Sequence, residues 1–296
     1  METMNLEQCF EKKEIKPVLL ALARSAAIIR EGFLKRGEAG KTGTVNVSGE
    51  EQESMDVWAD NILEKELFAS GSVSLYASEE RDEPVEMTGR GFTVVADPLD
   101  GSGNIPVNLP VGTIFGIFPG HGVLRRLDEM VAAGYVLFGP LTTMVVSHEG
   151  RTDEYVLCDH SFVLKNENLT FPAGKDFVIS GSRPNWTPEY YRYVEKCFDS
   201  NFKSRNIASM VADFQRALKK GGLYSYPGSR EKPQGKIRLL FEAGPLSFVA
   251  EGCKGVGHDG HERILDKVVK EVHQCTPVFV GSENLAKMAL EAYRNE

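Results

Sequence analysis

Asp97 and Asp100 stand three residues apart in the run Asp97-Pro98-Leu99-Asp100-Gly101-Ser102-Gly103-Asn104. A strand-like stretch, Thr93 to Ala96, leads into it, so both carboxylates fall at the mouth of a tight turn rich in proline and glycine. Such a turn can aim two carboxylates at one point and leave the N–H groups of Gly101 and Ser102 free. Carboxylate oxygens suit Mg²⁺, and free backbone N–H groups suit a phosphate. The same turn also fits a plainer role, in which the aspartates cap backbone donors. A second acidic pair, Glu79-Glu80, follows Ser78 at the end of another strand-like stretch, Val73 to Tyr76. Adjacent carboxylates repel, which makes a strand end an odd place for them without a cation. Asp82, Glu83 and Glu86 follow, so a solvated acidic run is the alternative. Two strand ends presenting carboxylates in one half of the chain are what a multi-metal site requires.

The second half offers cations and one isolated acid. Glu242 lies in Arg238-Leu239-Leu240-Phe241-Glu242-Ala243-Gly244-Pro245-Leu246, an apolar context where a lone carboxylate is costly. It either pairs with Arg238 four residues back or serves as a metal ligand. Arg183, Arg205, Lys236 and Arg238 stand among apolar and aromatic residues, with Tyr224 and Tyr226. Cations beside a metal site suit a substrate with more than one phosphate. Other patterns carry less. Gly255 to Gly260 fits G-x-G-x-x-G but follows a helix-like stretch, with no acidic residue where the dinucleotide fingerprint needs one, and reads as a turn. His258, Asp259 and His261 read as solvated residues of that turn. No G-x-S-x-G elbow occurs, and Cys253 reads as an inert core thiol.

The positioning elements follow from periodicity. Pro17 opens a helix in which Leu19, Leu20, Leu22, Ala23, Ala26, Ala27 and Ile29 recur at helical spacing, ending at Gly37 and Gly40. Gly37 to Ser48 reads as a loop. Ser48 and Glu51 make a capping box for a second helix, with Met55, Trp58, Ile62, Leu63 and Leu67 inward and Glu53, Asp56 and Asp60 on the polar face. Strands follow at 73–76, 92–96, 111–118, 131–138 and 142–147. Phe171-Pro172-Ala173-Gly174 breaks the chain, which divides it into halves of 1–172 and 173–296. Beyond lie a strand at 177–180, a helix after Thr187, a helix over 209–220, a strand toward Tyr226, a helical stretch over 237–251 interrupted by Pro245, and a closing helix over 283–294. The layout is a mixed α/β layering.

The 296 residues include 42 Asp plus Glu against 34 Lys plus Arg, a net charge of -8. That balance argues against binding duplex nucleic acid or an acidic membrane surface. Apolar residues at 42% suit a folded core rather than disorder. Five cysteines without a CxxC pair suit a reducing compartment. With no long apolar run and no apolar segment near the N-terminus, the expectation is a soluble cytoplasmic protein, or an organellar one if a targeting segment has been removed.

Asp97-Pro-Leu-Asp-Gly-Ser-Gly-Asn-Ile followed by Val111-Gly-Thr-Ile-Phe-Gly-Ile resembles the signature of fructose-1,6-bisphosphatases and the related sedoheptulose-1,7-bisphosphatases. The likeness continues through Ser78-Glu-Glu, Val131-Ala-Ala-Gly-Tyr, Ser209-Met-Val-Ala-Asp, Gly235-Lys-Ile-Arg-Leu-Leu-Phe-Glu and Pro277-Val-Phe-Val-Gly-Ser, in order over nearly the whole chain. It implies a layered αβαβα sandwich of two halves and Mg²⁺-dependent hydrolysis of a ketose bisphosphate, with two or three Mg²⁺ (or Mn²⁺) per site. It also implies roles for individual residues. Glu79, Asp97, Asp100, Glu242 and the carbonyl of Leu99 would hold metal. Glu50 would serve a weaker third ion, although the family usually has Asp there. Asp56 and Glu80 would hold and deprotonate the attacking water, and the N–H groups of Gly101 and Ser102 would grip the 1-phosphate. Arg205, Tyr226 and Lys236 would meet the distal phosphate and sugar, with Met210 alongside. Arg205 would come from a neighbouring subunit, which makes a homodimer or homotetramer the expected state.

Between the two sugars, Tyr135-Val-Leu-Phe-Gly-Pro-Leu-Thr-Thr, Phe241-Glu-Ala-Gly-Pro-Leu and His258-Asp-Gly-His look more like the sedoheptulose enzymes. The Asn-Glu-Gly-Tyr distal-phosphate segment of fructose enzymes is replaced by Ser180-Gly-Ser-Arg183, so Arg183 is a candidate substitute contact. Sedoheptulose 1,7-bisphosphate is therefore the expected substrate, with fructose 1,6-bisphosphate as the alternative. A non-catalytic sugar-phosphate-binding protein is the remote one. The residues of the fructose enzyme's AMP site are missing too: Gly91-Phe92 stands where Lys-Tyr is usual, which implies no AMP inhibition.

Overall fold

Near-continuous apolar runs in the N-terminal half, buried on both faces, build one large sheet. The structure, a computed structural model, describes residues 4–11, 13–36 and 54–294. In chain order come α1 (Leu6–Cys9), α2 (Lys16–Arg36), α3 (Met55–Ala69), β1 (Val73–Ser78), β2 (Val85–Glu86), β3 (Phe92–Asp100), β4 (Val111–Pro119), β5 (Ala132–Phe138), β6 (Thr142–His148), β7 (Arg151–Cys158) and β8 (Ser161–Asn166). These eight strands form a sheet in the order β2-β1-β3-β4-β5-β6-β7-β8, antiparallel except where β1 runs parallel to β3. That parallel pair puts the C-terminal ends of β1 and β3, and so both acidic segments, on the same edge of the layer.

The second half contributes β9 (Asp176–Phe177), α4 (Pro188–Asp199), β10 (Lys203–Ser204), α5 (Met210–Lys220), β11 (Gly222–Tyr226), β12 (Ile237–Arg238), α6 (Gly244–Gly252), β13 (Val256–His258), β14 (Cys275–Thr276), β15 (Val278–Gly281) and α7 (Glu283–Arg294). Five strands pair as β10-β9-β11-β15-β13, and β12 pairs separately with β14.

Side-chain alternation divides the apolar residues among the layers. Tyr76, Val94, Phe115, Ile117 and Val136 pack with Leu19, Leu22, Ala59 and Leu63 of α2 and α3. From the opposite face Leu75, Val95, Ile114 and Tyr135 meet Val211, Phe214, Leu246 and Val249 of α5 and α6, which also touch Tyr224, Val278 and Val280 of the second sheet. On that sheet's far side, Leu223 and Phe279 meet Tyr190, Tyr193, Leu285 and Ala289 of α4 and α7. The layers therefore run α, β, α, β, α, the expected sandwich.

Several elements depart from the sequence reading. The hairpin β7–β8 was not foreseen, because the inward positions Asp153 and Glu154 are charged. Both are buried, and Glu154 is paid for by Lys219 at 2.6 Å and Gln215 at 3.0 Å. The first described residue of the α3 region, Ser54, caps that helix by accepting from Val57 N–H at 3.5 Å. The Ser48–Glu51 capping box, the Gly37–Ser48 loop and Glu53 lie outside the described residues. Asp60, expected on the polar face, is only 2% exposed. The stretch 237–251 is not one helix. It is the short strand β12, a π-helical turn over Leu239–Ala243, and then α6 with Pro245 in its first turn, where a missing N–H costs nothing. The strand expected at 177–180 pairs only at Asp176–Phe177. No helix among the described residues is long and apolar enough to cross a membrane.

The glycine-rich stretch near 255–260 is β13 and a turn, but its histidine and aspartate are buried rather than solvated. His258 stacks on Phe279 with centroids 5.1 Å apart, and its Nδ1 accepts from Gly260 N–H at 2.9 Å. Asp259 pairs with Lys267 at 2.6 Å. Burial lowers the His258 pKa to about 4. The unfolded imidazole titrates near 6.5, so acid favours the unfolded chain: the stabilisation is complete above about pH 6.5 and is lost as pH falls toward 4. Replacing His258 by Gln should flatten this acid limb by roughly 3 kcal/mol, read from urea unfolding at pH 7 and pH 4. Identical pH dependence in the two proteins would contradict that assignment.

Candidate active site

The turn after β3 brings its carboxylates against a residue from the other half. One oxygen each of Asp97, Asp100 and Glu242 lie within 4.8 Å of one another, and all three side chains are buried. Asp97 accepts from Leu99 N–H at 2.9 Å, which curls the turn. Asp100 sits on the N-terminus of α5, accepting from Ser209 Oγ at 2.6 Å, Val211 N–H at 2.9 Å and Met210 N–H at 3.2 Å. The plainer role of the turn is thus partly real, since Asp100 also caps a helix. Glu242, on the π-helical turn, accepts from the backbone N–H of Arg238 at 2.6 Å. Of the two alternatives for Glu242, the side-chain pair with Arg238 is absent from the ion pairs among the described residues; the Arg238 guanidinium faces Glu79 at 3.3 Å.

Burial, and then the charges of Glu79, Asp100 and Glu242, hold Asp97 well above the ordinary carboxylate range. Burial does the same to Glu242, with Glu79 and Asp100 adding to it. Asp100 is raised by burial, against the pull of its α5 donors. Glu79, half-buried, is raised by burial and lowered by Arg238. Its N–H donates to the carbonyl of Ala96 at 3.0 Å, which fastens the Glu79-Glu80 turn directly before Asp97. Four carboxylates that resist ionising together will take up protons or a cation at neutral pH.

Beside them stands a second pair. Burial raises the Asp56 carboxyl against the pull of Ser102, and its Oδ1 is buried without a hydrogen-bond partner among the described residues. Glu80 keeps an exposed surface, yet partial burial and the charges of Asp56, Glu79 and Asp60 push its pKa up to about 7. Gly101 occupies φ +77°, and a Cβ there would lie 2.6 Å from Ser209 Cβ, so the turn against α5 requires glycine. The first N–H groups of the 3₁₀ turn over Ser102–Val107 have no acceptor within the turn itself.

A cavity of about 330 Å³ opens on this cluster, lined by Asp100, Ser180, Ser209, Met210, Asp213, Tyr224, Tyr226 and Glu242 among others. Asp213 was missed in the sequence. It is buried and accepts from Ile207 and Ala208 N–H at 2.9 and 3.2 Å, shaping the loop before α5, where Ala208 takes φ +67°. A second cavity of about 150 Å³ shares Ser180, Gly181 and Tyr226 with the first, and adds Lys232 and Lys236. Neither lysine pairs with a carboxylate among the described residues. Arg183 lines neither cavity. Its guanidinium lies 5.1 Å from the Tyr191 ring centroid and donates to the Tyr191 hydroxyl at 2.8 Å. Arg205 is exposed and donates only weakly, to the Ser204 carbonyl at 3.4 Å. Cys253 is buried, with its pKa pushed up to about 11 by burial. Glu50 lies outside the described residues.

Comparison with known proteins sets this arrangement in context. The family description "Fructose-1-6-bisphosphatase, N-terminal domain" matches residues 3–167, and "Fructose-1-6-bisphosphatase, C-terminal domain" matches 171–294. The "Fructose-1,6-bisphosphatase class 1" of Methanospirillum hungatei is 38% identical over 294 residues, covering 98% of this chain and 94% of that one. Its namesake in Methanocorpusculum labreanum is 38% identical over 92% of this chain and 85% of its own, and that of Natronomonas pharaonis 40% identical over 80% and 84%. The crystal structure of Leishmania major fructose-1,6-bisphosphatase in holo form superposes with a TM-score of 0.92 at 26% identity, covering all of both chains. Its apo form gives 0.88 at 25% identity, over 99% of this chain and 100% of that one. Fold and matches together define a hydrolase, a sugar-bisphosphate phosphatase. The chain belongs to the fructose-1,6-bisphosphatase family.

Proposed function

We propose that the chain hydrolyses the 1-phosphate of fructose 1,6-bisphosphate, giving fructose 6-phosphate and phosphate. The observation that carries the substrate is the name shared by the three relatives that are 38% to 40% identical, all class 1 fructose-1,6-bisphosphatases. The expected preference for sedoheptulose gives way to it, since it rested on a few short segments. One of them, Ser180 to Arg183, lines the second cavity through Ser180, Gly181 and Ser182 but not through Arg183 itself.

The donor set fits a divalent cation: hard carboxylate oxygens of Asp97, Asp100 and Glu242, buried and mutually repelling, with Glu79 beside them; among the described residues the ion pair at this cluster is that of Arg238 with Glu79. Asp97, Asp100, Glu242, Glu79 and the Leu99 carbonyl would hold two or three Mg²⁺, with Mn²⁺ as a substitute, and Glu50 would serve the weakest. Bound there, the cations would neutralise charge on the phosphoryl group and on the leaving sugar oxygen. Asp56 and Glu80 orient the attacking water and take its proton; a carboxylate poised near pH 7 suits that task. The N–H groups of Gly101 and Ser102 receive the 1-phosphate oxygens. Met210 and Tyr226 line the sugar, and Lys236 meets the distal phosphate in the second cavity. Arg205, exposed here, would reach the site of a neighbouring copy, so the working form is a homodimer or homotetramer. In this reading, residues 1–172 supply most of the carboxylates and 173–296 the sugar-phosphate contacts.

Lys236→Met should raise KM for the bisphosphate about tenfold or more with kcat little changed, the loss of one charged hydrogen bond. Arg183→Ala should leave both constants near wild type. The reverse pattern in initial-rate kinetics would return Arg183 to the site. For the substrate itself, kcat/KM measured on fructose 1,6- and sedoheptulose 1,7-bisphosphate should favour fructose. A clear preference for the seven-carbon sugar would overturn the proposed specificity while leaving the reaction type intact.

A further inference from the structure

Arg81 follows Glu80 directly, and its side chain does not join the metal-side cluster. It turns to α3. Its Nε donates to Asp60 Oδ2 at 2.5 Å, and a terminal nitrogen donates to Glu64 Oε2 at 2.6 Å and Asn61 Oδ1 at 3.0 Å. Asp60 is almost fully buried, and its other oxygen accepts from the Tyr76 hydroxyl of β1 at 2.8 Å. Asp60 lies one helical turn beyond Asp56, so whatever fixes Asp60 also fixes Asp56. The backbone of Arg81 ties in the second half, since its carbonyl lies 2.9 Å from His273 Nε2. Two residues further on, Cys275 lies 3.0 Å from a nitrogen of Arg238, the residue that faces Glu79.

We propose that Arg81 is a positioning residue, clamping the Glu79-Glu80 turn to α3 so that Glu80 and Asp56 stay on one water. The proposal rests on the reading of Glu80 and Asp56 given above. The two carboxylates repel, and Asp60 adds to the repulsion. The guanidinium placed among Asp60, Glu64 and Asn61 opposes their separation with a planar fork that no lysine reproduces. A shift of about 1 Å in such a pair slows the chemical step about 100-fold without weakening substrate binding. The clamp therefore acts on kcat, because the distal-phosphate contacts lie on other elements.

The test pairs Arg81→Gln with Asp60→Asn, so that no buried charge is left alone and an oxygen remains for the Tyr76 hydroxyl. This double variant should lose about 10- to 100-fold in kcat, with KM within about threefold of wild type and the thermal midpoint held. Arg81→Lys, which serves if the double variant does not fold, should lose about fivefold or more, since one ammonium cannot engage three acceptors. A folded double variant or Arg81→Lys enzyme with wild-type kcat overturns the clamp. Glu80→Gln is assayed alongside. If it keeps the wild-type rate, the reading of Glu80 has failed; if it is inactive while the Arg81 variants are fully active, the clamp alone has failed.

Discussion

Asp97→Asn should reduce phosphate release by at least about 10³-fold while the chain folds as before. Asp97 is 3% exposed and stands among Asp100, Glu242 and Glu79, which makes it the most crowded carboxylate of the site. The asparagine keeps the size and one oxygen for Leu99 N–H, so the turn has no steric reason to open. What it removes is a charge. In a metal-free protein that charge is a liability, because repulsion and burial both oppose its ionisation. The metal-free variant should therefore melt a few degrees higher than metal-free wild type, on a scale of about 2–4 °C per kcal/mol. Adding Mg²⁺ should raise the wild-type midpoint and leave the variant's nearly unmoved, since a cation stabilises a fold only where it binds. Higher metal-free stability together with lost turnover separates a functional carboxylate from a structural one. An active variant that melts lower would reverse the assignment.

Glu80→Gln is the second large effect. The substitution keeps the shape of the turn at the end of β1, including the bond from the residue-80 N–H to Ser78 Oγ at 3.2 Å. It removes only the proton acceptor that partial burial, and then the charges of Asp56, Glu79 and Asp60, have made more basic. Turnover should fall by about 10²- to 10⁴-fold, the usual worth of a positioned general base, with KM for the bisphosphate nearly unchanged. A proportionate rise in KM would instead place Glu80 among the binding groups. Steady-state kinetics at saturating Mg²⁺ distinguish the two.

The carboxylates were legible in the sequence because chemistry concentrates them: two short acidic segments, each at the end of a strand, and one acid in an apolar run. Their convergence was implied by the family resemblance and not by local periodicity, since it depends on β1 and β3 being parallel and on a π-helical turn presenting Glu242. Local periodicity cannot reveal a register or one extra residue in a helical turn. Asp60 was misplaced for a related reason. Helical spacing put it on a polar face, but a buried aspartate is tolerated once Arg81 and Tyr76 satisfy it, and those partners lie some twenty residues away. The β7–β8 hairpin escaped because Asp153 and Glu154 interrupt the apolar pattern; Arg151 on the same strand pairs with Asp153, and Gln215 and Lys219 of α5 supply Glu154. Arg183 shows the converse. A cation in the right segment was a candidate ligand, while its guanidinium rests on Tyr191, eight residues on. Asp213 carried no local signal beyond its place in Ser209-Met-Val-Ala-Asp, and its role appears only when the loop before α5 is seen to hang from it.

In the proposed reaction the Asp97, Asp100 and Glu242 cluster holds the divalent cations that hydrolysis requires. The most direct measurement is phosphate release from fructose 1,6-bisphosphate by enzyme stripped with a chelator, before and after Mg²⁺ is restored. Stripped enzyme should give no measurable release and recover fully on adding Mg²⁺, with no recovery in Asp97→Asn. Release at the wild-type rate without divalent cation would contradict that requirement.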